Sequence, residues 1–174
     1  ADSDFQFFPG IEGANYVMFD YDLVDEDSYV FDYQVPMDAT GGVEMNKGVD
    51  RGIKKRVGGR GIEYNLTPMT DWTKHVLSYQ VERNPHYLDR AQFRYLPFEM
   101  QNFNVMIRLK GDRVWIVSVK DKEVWGIKIR SSNLASSLIS IHQALWKMAD
   151  PITKDMIESW MPNPYLRAEK AKDR

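Results

Sequence analysis

The segment NVMIRLKGDRVWIVSVKDKEVWGIKIR, residues 104–130, constrains the fold more than any other part of the chain. Gly111-Asp112 and Asp121-Lys122 are natural two-residue turns set between runs of alternating apolar and polar residues, so the segment is expected to form a three-stranded antiparallel meander. Two-residue loops also fix the register, and with it the faces. Val105, Ile107, Leu109, Val114, Ile116, Trp125, Ile127 and Ile129 fall on one side, which reads as core. Arg108, Lys110, Arg113, Trp115, Lys128 and Arg130 fall on the other, with Trp115 between Arg108 and Lys128 across the strands.

The chain then turns helical. Leu134, Leu138, Ile141, Leu145 and Met148 follow the 3.6-residue period, a stripe able to lie on the apolar side of the meander. A second short helix is expected after Asp150 as N-cap and Pro151 at the first helical position, with Ile152, Met156 and Trp160 buried. Upstream, GIEYNL and TKHVLSYQVE read as strands, the latter placing His75, Leu77, Tyr79 and Val81 on one face. AQFRYLPF reads as an edge strand because Pro97 cannot donate to a ladder. Strands first and helices last imply an α+β domain, an antiparallel sheet of about six or seven strands covered by the C-terminal helices. The 174 residues make one domain, 1–174, with a C-terminal extension over 162–174 after Pro162.

Charge is unevenly spread. Residues 1–46 hold 11 acids and no Lys or Arg, whereas KGVDRGIKKRVGGR, residues 47–60, holds six bases and one acid. Within the acidic part, apolar residues alternate at Val17, Phe19, Tyr21 and Leu23 and again at Tyr29, Phe31, Tyr33 and Val35. That pattern is expected to give an N-terminal hairpin turning at Asp25, Glu26 and Asp27. Its outer face would set Asp20 opposite Asp32 with Asp22 nearby, and like charges so placed destabilise a sheet. Compensating cations are therefore required. Lys47, Arg51, Lys54, Lys55, Arg56 and Arg60 are the internal candidates, on a Gly-rich surface loop spanning 37–61 that holds seven of the 11 glycines. A basic partner subunit or a bound cation are the other two.

No catalytic or cofactor motif stands out. The chain has no cysteine, which removes disulfides, thiolate metal sites and a cysteine nucleophile. None of His75, His86 and His142 has a partner at metal-ligand spacing, so no metal and no cofactor is expected. VGGRG lacks the phosphate-loop spacing, and there is no Gly-x-Ser-x-Gly. An enzyme reading thus has no residues to rest on, and no stretch is long and apolar enough to span a bilayer. Asn65 in NLT matches a glycosylation sequon.

The first functional expectation is a non-catalytic structural or accessory subunit of a protein assembly. It would dock other subunits through Asp20, Asp22 and Asp32, the basic loop, and the aromatic segments FQFFPG and SWMPNPYL. The alternative is a carrier for a hydrophobic ligand or lipid, held between sheet and helix. A second alternative is single-stranded nucleic acid stacking on Trp115 between Arg108 and Lys128. The chain's pI near 6.0 argues against it.

Overall fold

The computed structural model describes residues 2–32, 43–98, 100 and 103–161; of residues 43–46 and 72 it describes the backbone alone. The C-terminal extension and the tip of the expected hairpin's second strand lie outside the described residues.

The fold is α+β, built on one mixed sheet of eight strands in the order β1-β7-β6-β5-β2-β3-β4-β8. The strands are β1 (Asp4–Pro9), β2 (Ser28–Phe31), β3 (Glu63–Leu66), β4 (Ala91–Tyr95), β5 (Met106–Lys110), β6 (Arg113–Lys120), β7 (Glu123–Arg130) and β8 (Asp150–Pro151). The helices are α1 (Gly10–Met18), α2 (Val43–Gly58), α3 (Asp71–Arg83), α4 (Ser132–Met148) and α5 (Lys154–Ser159). The meander has the expected register, with Arg108 opposite Trp115 and Trp115 opposite Lys128. Gly111 (φ 53°) and Asp121 (φ 56°) take the left-handed backbone that their tight turns need.

The sheet is larger than expected and is not wholly antiparallel. β2, β3 and β4 run parallel, and β2 joins the meander through antiparallel pairing with β5. Helices cover both faces rather than one. Leu109, Val114, Phe31 and Leu66 pack with Ala135 and Leu138 of α4. On the opposite face, Trp115 and Val117 pack with Ala14 and Val17 of α1, while Phe93 packs with Ile53 of α2 and Leu77 and Val81 of α3. Val30, Asn65, Phe93 and Arg108 are register partners on this second face.

Several expectations fail for identifiable reasons. The N-terminal hairpin does not form, because residues 19–27 are irregular. The Asp20 side chain accepts the Asp22 amide at 3.2 Å, a local turn that competes with a ladder, and Leu23 has φ 61°. The 37–61 segment is no loop over its second half, where α2 runs. Two of its glycines serve packing: a Cβ at Gly52 would lie 2.0 Å from Cζ of Tyr21, and one at Gly48 2.9 Å from Cε1 of Phe19. The aromatic residues of the acidic segment thus sit in glycine notches of α2, while Val49, Ile53 and Val57 at four-residue spacing turn to the core.

TKHVLSYQVE is helical as part of α3. The Thr70 side chain caps it by accepting the Thr73 amide at 3.3 Å. Leu77, Tyr79 and Val81 are all buried, so a helix deep in the fold imitates strand alternation. In α4, Ile141 and Met148 are exposed; the buried side carries Ala135 and His142 instead. The last helix is capped by Thr153, two residues beyond Pro151. β4 is next to the sheet edge, protected on its outer side by the two residues of β8.

Candidate functional site

The carboxyl ends of β2 and β3 open into two adjoining cavities. The first, about 180 Å3, lies between the sheet and helices α2 and α3, and has a mixed lining in which Arg56, Glu63, Asn65 and Arg108 stand among Val30, Ile53, Leu77 and Phe93. The second, about 510 Å3, is largely apolar, with Phe31, Leu66, Met69, Leu96, Phe98 and Phe103 in its wall. Asp32 and Thr67 line both. Each directly follows a parallel strand, and the Asp32 and Thr67 amides donate to Leu66 O and Arg94 O at 2.9 Å. Ligands of open sheets with parallel strands collect at such strand ends.

Around the smaller cavity, the buried charges are tied to one another and to the backbone. Arg56 donates to Val24 O at 3.2 Å, Glu26 O at 3.4 Å and Ser28 Oγ at 3.1 Å, and its Nε lies 3.8 Å from Glu63 Oε2. Glu63 Oε1 accepts from Tyr87 Oη at 3.0 Å and from Asn65 Nδ2 at 3.2 Å. Arg108 donates to Met18 O at 3.2 Å and Asp20 O at 3.0 Å, with its guanidinium 5.1 Å from the centre of the Tyr21 ring. Lys110, fully buried, donates to Asp22 O at 2.6 Å. Burial, with the neighbouring charges of Arg108 and Arg56, brings the Lys110 ammonium down to about 7.

Asp32 differs from this set. Burial, reinforced by the charge of Glu63 and only partly opposed by Arg108, pushes its carboxyl up to about 7. Among the described residues no side chain or amide donates to it. Because its native value lies above the unfolded 3.8, the unfolded chain gives up this proton first. The group therefore costs no stability below about pH 4, and lowers stability progressively as pH rises toward 7. The shift corresponds to at most about 4 kcal/mol, reduced because the side chain opens into a cavity that water enters. Asp32→Asn is expected to leave stability near pH 4 unchanged and to raise it by about 2 kcal/mol near pH 8, read by urea unfolding at both pH values.

The sequence-derived site residues separate in space. Asp20 does not face Asp32. It lies against the meander, where Lys128 Nζ is 2.8 Å from Oδ2 and Trp115 Nε1 donates to the same oxygen at 3.0 Å. Burial pushes the Asp20 carboxyl up, but Lys128, the Asp22 amide and the indole outweigh it and hold it down at about 2. The Asp22 side chain is exposed. Of the basic residues, Arg60 meets Asp25 at 3.5 Å and Arg56 is buried in the network with Glu63. Lys47, Arg51, Lys54 and Lys55 are exposed on α2. Of these carboxylates, Asp20 meets a cation of the meander, Lys128, and Asp25 one of the 47–60 segment, Arg60; Arg108 and Lys110 reach backbone carbonyls of the same stretch rather than its carboxylates.

The part of the basic meander face around Trp115 is not a surface, although at its end Arg130 is exposed and Arg113 half-buried. Trp115 is 2% exposed, covered by α1 and by the segment after it, and Lys110 rather than Arg108 lies over its ring, at 5.5 Å. A base has no access to that indole as placed. His142 is buried against β2, with Nε2 3.1 Å from Val30 O and its ring stacked on Trp146; burial lowers its pKa. His86 pairs with Asp89 at 3.1 Å. His75 lies on α3, half-buried. Among the described residues no group of three or more His, Asp or Glu could hold a metal ion, and no helix is long and apolar enough to cross a membrane. The Asn65 side chain is buried and donates to Gln92 O at 3.3 Å, so the sequon is closed in this fold.

A pocket between sheet and helix was an expected alternative, but the residues that line these cavities were not foreseen. Their lining comes from β2, β3, α2, α3 and the 95–103 segment, and only parallel pairing of strands far apart in sequence brings these together. Asp32 carried a sequence signal, but as part of a charged hairpin face.

No family model matches the chain, and no curated protein matches it in sequence. Solved structures do. TrmBL2, described as an archaeal chromatin protein with a novel mode of DNA binding, is similar at 12% identity and a TM-score of 0.56, over 85% of this chain and 54% of that one. Nuc from Salmonella typhimurium, a phospholipase D family member, is similar at 12% identity and a TM-score of 0.55, over 88% of this chain and 100% of that one. At this identity the likeness is one of fold. The chain spans about half the length of the chromatin protein.

Proposed function

We propose that this chain is a non-catalytic accessory module that holds a small, largely apolar ligand at the carboxyl ends of β2 and β3. The observation that carries this reading is the apolar cavity of about 510 Å3 opening beside Asp32, a volume in the range of small-molecule sites. The described linings of both cavities hold no histidine, serine or lysine, and the arginines in the smaller one are committed to carbonyl oxygens. That arrangement supports binding over bond cleavage. The occurrence of the fold as about half of a DNA-binding protein also supports a module that serves a larger molecule.

Fluorescence titration with the apolar probe N-phenyl-1-naphthylamine tests the reading. A saturable rise with one site per chain is expected. Phe98→Asp at the exposed rim should weaken it about tenfold, because a charge then borders the apolar wall. A linear, unsaturable rise unaffected by that change would refute it.

A second reading, docking to a further copy of the chain, is favoured by β1. This strand pairs only with β7 among the described residues, so one edge of its backbone is open, and Phe5 and Phe7 on it are 66% and 61% exposed. Open apolar edges are usually covered, and an antiparallel β1-to-β1 contact about a two-fold axis would do so. Sedimentation should show concentration-dependent dimers that the Phe5→Lys, Phe7→Lys double variant abolishes. A wild-type monomer at every concentration would remove this reading.

A further inference from the structure

Building on the proposed ligand site and resting on it, we infer that the cleft selects a primary ammonium carried on an apolar body, with the ammonium at Asp32 and the body in the larger cavity. Three observations lead there. First, Asp32 is the acidic group shared by the two cavities, with Glu63 and Arg108 in the wall of the smaller and Phe31, Leu66 and Phe103 in the wall of the larger. Second, the cations that could have answered it are engaged elsewhere: Arg108 with Met18 O and Asp20 O, Arg56 with Val24 O, Glu26 O and Ser28 Oγ, Lys110 with Asp22 O. Third, Phe31, Tyr95 and Phe103 in the adjoining wall offer ring faces that favour a cation over an anion.

A half-buried carboxyl to which no described residue donates is costly as an anion. An incoming ammonium supplies both the counter-charge and three N–H donors. Binding then draws the carboxyl into its ionised form, and the proton it held passes to solvent. The charged and titratable groups that line the smaller cavity with Asp32 set the background for that step: Glu63 from β3, Arg108 from β5, Arg56 from α2, Tyr87 from the turn before β4, and Tyr21 from the segment after α1. Of these, Glu63 opposes ionisation and Arg108 favours it. A neutral hydroxyl on the same body would donate one hydrogen bond with no charge, and a carboxylate would meet Asp32 and Glu63 as a like charge.

Calorimetric titration with 2-phenylethylamine, 2-phenylethanol and 3-phenylpropanoate tests this. The amine is expected to bind at least about tenfold more tightly than the alcohol, the carboxylate more weakly than both. Amine affinity should rise about tenfold between pH 6 and pH 8 while alcohol affinity stays flat. In buffers of different ionisation heat, the amine should release close to one proton near pH 6. Asp32→Asn should reduce the amine to the affinity of the alcohol and leave the alcohol unchanged; the wild-type proton release stands as evidence even if that variant misfolds. Equal binding of all three, or preference for the carboxylate, would overturn the ammonium assignment while keeping the cavity as a ligand site. No binding of any of the three, together with no saturable binding of N-phenyl-1-naphthylamine, would overturn both.

Discussion

Gly52→Val is expected to destabilise the protein by about 3 kcal/mol or more, and to yield little soluble material. A Cβ at this position would stand 2.0 Å from Cζ, 2.2 Å from Cε2 and 2.5 Å from Cε1 of Tyr21, so the ring cannot stay. Tyr21 cannot simply swing away, because it lies under the Arg108 guanidinium and lines the smaller cavity. Overpacking of this kind commonly costs about 1–3 kcal/mol, and more where the neighbour is held. Gly58→Ala, at the end of the same helix, meets no atom within 4 Å and should be neutral or stabilising by up to about 1 kcal/mol. Chemical denaturation of the two variants side by side separates a general intolerance of α2 to side chains from the specific notch. Equal stability of both would contradict the packing described. Combining Gly52→Ala with Tyr21→Ala should cost less than the sum of the single changes, since the second removes the clash created by the first.

Arg56→Met is expected to cost about 3–5 kcal/mol. The guanidinium is 2% exposed and satisfies two carbonyl oxygens, one hydroxyl and part of the charge of Glu63. Methionine fills most of the volume but leaves those acceptors dry and Glu63 without its cation. Adding Glu63→Gln should recover a measurable part of the loss, because the stranded charge is then gone. A double variant no better than Arg56→Met alone would show that the carbonyl contacts, not the ion pair, dominate.

These two positions illustrate what could and could not be read from the residues. Arg56 was marked by its place in a basic run, yet its neighbours Arg51, Lys54 and Lys55 are on the exposed side of α2, and nothing local separates the buried member from the others. The glycines of α2 read as loop punctuation because glycine is a poor helix former; their cause is two aromatic rings about thirty residues earlier. The meander was readable because turn chemistry and alternation agree within 27 residues, and both are local. The parallel pairing of β2, β3 and β4 is non-local, and each of these strands has only four or five residues, too few for a strong periodic signal. The site inherits that difficulty, since it exists only where those strand ends meet. The expected need for cations beside the early carboxylates is met at Asp20 by Lys128 of β7 and at Asp25 by Arg60, and Asp20 and Asp32, expected opposite each other, lie apart.

Methyl NMR of methionine-labelled protein titrated with N-phenyl-1-naphthylamine tests the central claim most directly. Met69 and Met100 line the apolar cavity, whereas Met148 is exposed on α4, so the methyls report occupancy by location. Saturable shifts at Met69 and Met100, with Met148 unmoved, are the expected result. Shifts confined to Met148, or none at all at a saturating probe concentration, would contradict a ligand site at the ends of β2 and β3.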